Sequence, residues 1–171
     1  MERNTRRVGL AVALGGALLV AIGGCSLLQS AGPKLQNWEP VLSPDETRIA
    51  YATVGGGDDD TFDLVVRDLS SGQEHQVTDD EFFNASPSWS PDGTRLVFAS
   101  ERNDNVDLYI IDVTSLEVTR LTTHEGQEMN PHWGRDDRIL FNSNRSGQWE
   151  VFSIDPAGEN LIRLTDTPAD D

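Results

Sequence analysis

A single cysteine, Cys25, and a single lysine, Lys34, stand among 171 residues, and 13 basic side chains face 29 acidic ones for a net charge of −16. One cysteine closes no internal disulfide and builds no thiolate metal cluster, so it is a free thiol or a modification site. Without a basic stripe to neutralise phosphates, DNA and RNA have no electrostatic footing, and nucleic acid is excluded as a partner. Lys34 follows Pro33 and precedes Leu35. A phosphate loop needs Gly-Lys-Ser/Thr, so nucleotide hydrolysis by that route is excluded as well. Gly-x-Ser-x-Gly is absent, and His75, His124 and His132 make no His-Glu-x-x-His and no zinc spacing. The remaining composition, 37% hydrophobic with four Trp and six Phe, is that of one modest globular domain.

No apolar run reaches the roughly 20 residues that a permanent membrane helix needs. The run from Val8 to Ile22 is short, follows Arg3, Arg6 and Arg7, and leads into Gly23-Gly24-Cys25. A basic n-region, a short h-region and a small-residue cleavage site make an export signal. Ile22-Gly23-Gly24-Cys25 resembles a lipobox, where a diacylglycerol joins the Cys thiol before cleavage leaves that Cys as the first residue. Residues 1–24 are therefore expected to be a lipoprotein signal peptide, Cys25 the lipidated residue and 25–37 a flexible tether. Removing the signal takes away three Arg and one Glu and leaves 10 basic and 28 acidic residues, a charge of −18. Such a surface avoids anionic headgroups. Membrane attachment then rests on acyl chains, each buried methylene contributing about 0.8 kcal/mol. The expected location is the cell envelope, lipid-anchored on the extracytoplasmic side, at the outer membrane or in the periplasm of a Gram-negative host.

The rest of the chain repeats. Pro40-Val41-Leu42-Ser43-Pro44-Asp45-Glu46-Thr47-Arg48 aligns with Pro87-Ser88-Trp89-Ser90-Pro91-Asp92-Gly93-Thr94-Arg95 and, one residue shorter, with Pro131-His132-Trp133-Gly134-Arg135-Asp136-Asp137-Arg138. Downstream, Asp63, Asp107 and Glu150 match, then Asp68, Asp112 and Asp155, then Thr78, Thr122 and Thr165, spaced by 44 and 43 residues. That period suits one four-stranded propeller blade of about 40–45 residues. Each copy reads as four short strands: one carrying Trp89, Trp133 or Leu42, then a Ser-Pro-Asp-Gly turn, then two strands rich in β-branched and aromatic residues, then a fourth ending at the Thr. No segment shows a sustained helical period. The fold class is all-β, a partial propeller of three four-stranded antiparallel blades over 38–171.

The repeat resembles the β-propeller units of TolB-like proteins, whose pattern runs Pro-x-Trp-Ser-Pro-Asp-Gly-x-Arg, then Asp-hydrophobic-Tyr, then Leu-Thr. Pro87 to Thr122 fits nearly throughout, whereas the first copy departs at Leu42, Glu46 and the longer loop Val54 to Asp60. The resemblance implies a non-enzymatic scaffold that binds an envelope protein partner. The alternatives are a glycan-binding or metal-dependent glycan-processing propeller, or a fragment of a longer propeller. Three blades leave two open faces, which a homodimer closing a six-blade ring would satisfy.

Trp89, Trp133, Asp92, Asp107 and Asp112 are read as structural repeat residues. A charge repeated in every blade is expected to cap a turn or to pair with Arg48, Arg95 and Arg138, because catalytic carboxylates do different work only in different environments. No catalytic residue and no cofactor is expected. Asp58, Asp59 and Asp60 concentrate oxygen ligands that would suit Ca²⁺ but lack EF-hand spacing, so a solvated loop tip is expected there. His132 precedes Trp133 and would line a central channel, where some propeller lyases hold a metal. Ser88 and Val41 take its place in the other copies, so a partly exposed spacer is expected.

Overall fold

The computed structural model describes residues 37–54, 61–102 and 104–166. The expected signal peptide, Cys25, the expected tether up to residue 36, and Asp58, Asp59 and Asp60 lie outside the described residues. Twelve strands and no helix are found among the described residues. The first repeat unit comprises β1 (Asn37–Leu42), β2 (Arg48–Val54), β3 (Phe62–Asp68) and β4 (Glu74–Gln76). The second comprises β5 (Phe83–Trp89), β6 (Arg95–Arg102), β7 (Asn105–Asp112) and β8 (Val118–Arg120). The third comprises β9 (Glu128–Trp133), β10 (Ile139–Ser143), β11 (Glu150–Ile154) and β12 (Ile162–Arg163). Within each unit, consecutive strands pair antiparallel. Three separate sheets are expected from the repeat, but one parallel pair, Phe62 opposite Phe83, joins the first two units into an eight-stranded sheet. The two rings meet edge to face at 5.1 Å, which holds β3 beside β5.

The turn between the first two strands of each unit is built by its own side chains. In the second unit Ser90 Oγ donates to Asp92 Oδ1 at 2.6 Å, and Asp92 accepts the Thr94 amide at 3.0 Å. Gly93 closes the turn at φ 70°, where a side chain is disfavoured. Glu46 holds the same place at φ 59° in the first unit and Asp137 at φ 61° in the third. In the third turn Gly134 stands where the others have Ser, and a Cβ there would come within 2.6 Å of Asp136 Oδ1. The carboxylate occupies the room a serine side chain would need.

These caps predict acid sensitivity. The Ser90 hydroxyl, then the Thr94 amide, hold Asp92 down from 3.8 to about 2, and Asp45 is held at about 2 by Ser43 and Thr47. The folded protein thus binds fewer protons than the unfolded chain in that window. The stabilisation is whole above the unfolded value near 4 and is lost as pH falls towards 2. Thermal melts from pH 5 to pH 2 are expected to show a steeper fall for the natural protein than for Asp92→Asn. Equal slopes would remove the cap from the account.

The cores lie between units. Side chains alternate across each strand, so a sheet can present apolar residues on both faces. Ala50, Ala52, Leu64 and Val66 of the first unit meet Trp89, Leu96, Phe98, Tyr109 and Ile111 of the second. Val97, Ala99, Val106, Leu108 and Ile110 of the second meet Trp133, Ile139, Phe141, Phe152 and Ile154 of the third. Trp89 and Trp133 are each 4% exposed, whereas Leu42, in the corresponding place of the first unit, is 52% exposed.

Candidate interaction surface

The repeated acids are committed to the scaffold. Thr78 Oγ1 accepts the Leu64 amide at 2.8 Å and donates to Asp63 Oδ1 at 3.1 Å, locking β3 to the chain beyond β4. The third unit repeats this: Thr165 Oγ1 accepts the Val151 amide at 2.9 Å and donates to Glu150 Oε2. In the second, Thr122 Oγ1 accepts the Leu108 amide at 2.9 Å beside Asp107. The cations that answer these acids are Arg120, 2.6 Å from Asp107, and Arg163, 3.0 Å from Glu150. Of the two roles expected for repeated acids, capping a turn or pairing with Arg48, Arg95 and Arg138, Asp107 and Glu150 take neither and pair with arginines of their own fourth strands instead. In the first unit Gln76 replaces the arginine and donates to Asp63 at 3.0 Å. Burial pushes the Asp63 carboxyl up, partly offset by the Asp80 amide and the Thr78 hydroxyl.

The next repeated acids cap the turns into the fourth strands. Asp68 accepts the amides of Ser70 and Ser71, Asp112 those of Thr114 and Ser115, and Asp155 those of Ala157 and Glu159. These hydrogen bonds hold the Asp68 and Asp112 carboxyls below the usual carboxylate range, and Asp155 is held there first by the Asn160 side-chain amide, which donates to it at 2.7 Å, and then by the Glu159 amide.

Arg48 and Arg95 do something else. Each reaches across to the following unit and lies over its tryptophan: Arg48 Cζ is 4.7 Å from the Trp89 ring centroid, and Arg95 Cζ is 4.8 Å from that of Trp133. A guanidinium over an indole face is held by the ring quadrupole. Arg138 instead folds back and donates to Ser153 Oγ at 2.7 Å and to the Asn160 carbonyl at 2.8 Å.

A further pair of arginines escaped the sequence reading. In Ser100-Glu101-Arg102 and Ser143-Asn144-Arg145 the serine and arginine recur in register. Arg102 donates to Asp80 at 2.6 Å and lies over Phe82 and Tyr109. Arg145 donates to Glu128 at 2.8 Å and lies over Phe141 and Phe152. The recurring Ser-x-Arg after the second strand was the available signal.

What is left over lies along the first strands, where β1 abuts β5 and β5 abuts β9. Glu39, Ser86 and Asn130, each just before a proline, sit at φ 50°, 53° and 52°. The strand register shifts beside each of them. Left-handed non-glycine residues cost energy and are kept where the surroundings enforce them. Here Glu39 Oε2 accepts the Ser86 amide at 2.6 Å, linking the first two units. His132 follows two residues after Asn130 and is exposed between buried Pro131 and Trp133. The serine in its place in the second unit, Ser88, accepts the Trp133 amide at 3.0 Å. Among the described residues no group of three or more His, Cys, Asp or Glu side chains gathers as a metal site would require, and His132 belongs to none. Glu39, Ser86, Asn130 and His132 thus form a polar row along the first strands, half-buried at Glu39 and Ser86 and exposed at Asn130 and His132.

The TolB beta propeller domain family matches residues 26–169. The chain is 38% identical over 80 residues to an uncharacterized protein of Agrobacterium fabrum, covering 46% of this chain and 27% of that protein. It is 26% identical over 110 residues to the Tol-Pal system protein TolB of Francisella tularensis, covering 61% of this chain and 25% of that one. The chain thus spans about a quarter of the curated relatives it matches. The crystal structure of TolB from Acinetobacter baumannii superposes with a TM-score of 0.68 at 27% identity, covering 76% of this chain and 32% of that one. Enzymes share the fold: an oligogalacturonate lyase from Vibrio parahaemolyticus superposes with a TM-score of 0.61 at 14% identity, covering 78% of this chain and 42% of that one. At that identity the likeness speaks to the fold alone. The all-β architecture, the repeated turn and clasp chemistry and the extent of the match agree, and the chain belongs to the TolB beta propeller domain family.

Proposed function

We propose that this chain is a non-enzymatic lipoprotein of the cell envelope whose three repeat units are propeller blades, and that it works as a protein-interaction scaffold. The observation that carries the reading is the division of labour among its polar residues. Asp63, Asp107 and Glu150 lock strands, Asp68, Asp112 and Asp155 cap turns, and Glu39, Ser86, Asn130 and His132 line the first strands. A scaffold needs rigid units and an exposed polar row, and this division of labour supports that reading. The family and the Tol-Pal system name of one relative support an envelope setting.

A photo-crosslinking amino acid placed at His132 in living cells tests the role, with Ser70 on an outer turn as control. A discrete adduct with one envelope protein at His132, absent at Ser70, is expected. No protein adduct at His132, Asn130 or Glu39 would overturn the scaffold reading.

Anchoring has its own test. Cells fed a labelled fatty acid are expected to yield a labelled product that disappears in Cys25→Ser. An unlabelled full-length precursor in the membrane would remove the lipoprotein reading.

A further inference from the structure

The arginines that follow the three first turns end differently. Arg48, stacked on Trp89, also donates to the Gly93 carbonyl of the next unit's turn at 2.7 Å, and Arg138 has Ser153 and the Asn160 carbonyl. Arg95 stacks on Trp133 in the same way, yet no hydrogen bond or ion pair of its guanidinium is found among the described residues. The turn beyond it differs: Gly134 to Asp137 is one residue shorter than Ser90 to Thr94, and the Asp137 carboxylate is engaged by the Trp133 indole N–H at 2.8 Å. Asp112 stands opposite Arg95 in the strand register, but it accepts the amides of Thr114 and Ser115, and no ion pair between the two is found among the described residues. A half-buried guanidinium with one face on an indole and its N–H edge unmet is an anion receptor held in one orientation.

Arg95 lines a cleft of about 330 Å³ between the second and third units. Ile110, Leu121 and, from the third unit, Ala157 give it apolar surface, and Asp112 and Glu117 give it negative charge. Arg120, the other cation in the lining, is spent on Asp107 at 2.6 Å and on the Thr122 carbonyl at 2.8 Å. Gly158, at φ 80°, seats the third unit's turn against the second, since a Cβ there would stand 3.2 Å from the Leu121 carbonyl. We propose that this cleft binds a small zwitterion, a free α-amino acid or dipeptide with an apolar side chain, with its carboxylate on Arg95 and its ammonium towards Asp112 and Glu117.

Charge selects this class over the others. A phosphate would meet Arg95 but also two carboxylates, and a chain of net charge −16 repels it from a distance as well. The Ser115 and Thr114 amides hold the Asp112 carboxyl below the usual carboxylate range, so that repulsion is present at neutral pH. A simple amine would leave Arg95 unmet. A molecule carrying both charges a few bonds apart answers both signs of the lining and brings no net charge. Its size is bounded too, because the cleft lies at the small end of the roughly 300–1,000 Å³ that ligand pockets span, which suits an amino acid or dipeptide and excludes a longer peptide. None of the lining residues belongs to the row along the first strands, so the site is independent of the scaffold reading.

The test is an NMR titration of the full chain in mild detergent with L-leucine and L-alanyl-L-leucine as probes, for the natural protein, Arg95→Gln and Ala157→Trp. The signals read are the methyl groups of Ile110, Leu121 and Ala157 and the indole N–H of Trp133. Ala157→Trp fills the cleft from an exposed position and leaves Arg95 in place, so the test survives if Arg95→Gln fails to fold. At least one probe is expected to bind with a Kd of about 1 mM, the scale for so small a ligand, and the tighter of the two tells a free amino acid site from a dipeptide site. Each variant is expected to weaken binding at least about 10-fold, the scale of losing a charge-assisted hydrogen bond. Isocaproate and isoamylamine, which keep only the acid or only the amine of leucine, are expected to bind weaker by a similar factor. No shift of these signals by either probe at about ten times that concentration overturns the proposal. So does binding that either variant retains at full strength, and so does equal affinity for isocaproate, isoamylamine or inorganic phosphate, since the cleft would then read one charge alone.

Discussion

Trp89→Ala will cost about 3–5 kcal/mol of folding stability, the range for truncating a large aromatic in a core. Three things are lost together. The ring is 4% exposed against Ala50, Ala52, Leu64 and Val66, its Nε1 donates to the Val41 carbonyl at 3.2 Å, and it seats Arg48. The neighbours are strands fixed by their own ladders, so they close little of the cavity. Against a total stability of about 5–15 kcal/mol for a domain, the loss brings the variant near the edge of folding. The melting temperature is expected to drop on the order of 10–15 °C. Trp149→Ala makes the same truncation at an exposed site and is expected to change stability by about 0.5 kcal/mol or less. Chemical denaturation of the two variants in parallel checks the claim. A change below about 1 kcal/mol for Trp89→Ala would mean that the ring contributes little to joining the units.

Much of this architecture is legible because it is local. Ser90-Pro91-Asp92-Gly93 fixes a turn through contacts within four residues, and the observed bonds from Ser90 and Thr94 to Asp92 are of that kind. The clasp at Thr78, Thr122 and Thr165 shows in the sequence as a fixed spacing from the acid before it, since one end lies on the third strand and the other just past the fourth strand of the same unit. What stays hidden is the relation between units. Arg48 lies in register with Asp68 along its own sheet, which makes an ion pair look natural, yet its guanidinium crosses to Trp89 in the next unit. A repeat gives the position of a residue within its unit but not which neighbour its side chain reaches. The candidate surface is hidden for another reason. Glu39, Ser86 and Asn130 differ in side chain, so nothing marks them as equivalent except the proline that follows each, and their shared feature is a backbone angle.

Arg145→Met tests the most deeply buried charge pair. Glu128 is fully buried, and Arg145, 13% exposed, donates to it at 2.8 Å while its stem and guanidinium lie over Phe141 and Phe152. Methionine keeps much of the packing and removes the cation, leaving a carboxylate in the core beside the hydroxyls of Ser143 and Thr122. Breaking one side of a buried pair in this way is expected to cost about 3–5 kcal/mol at neutral pH. The corresponding change at Arg102 leaves Asp80, which is 26% exposed and reaches water, so a smaller loss is expected there. Burial already pushes the Glu128 carboxyl up, with the Asp107 charge adding to it and Thr122 and Arg145 opposing. Without the arginine its folded value rises further above the unfolded one. The folded variant then binds a proton that the unfolded chain releases, so its deficit is largest above the folded value and shrinks as pH falls through it. Glu128→Gln added to Arg145→Met is expected to recover most of the loss and to abolish its pH dependence. Denaturation of the single and double variants at pH 5 and pH 8 distinguishes the outcomes. A deficit that is the same at both values, or that the added glutamine leaves untouched, would assign the cost to the lost packing over Phe141 and Phe152 rather than to an orphaned charge.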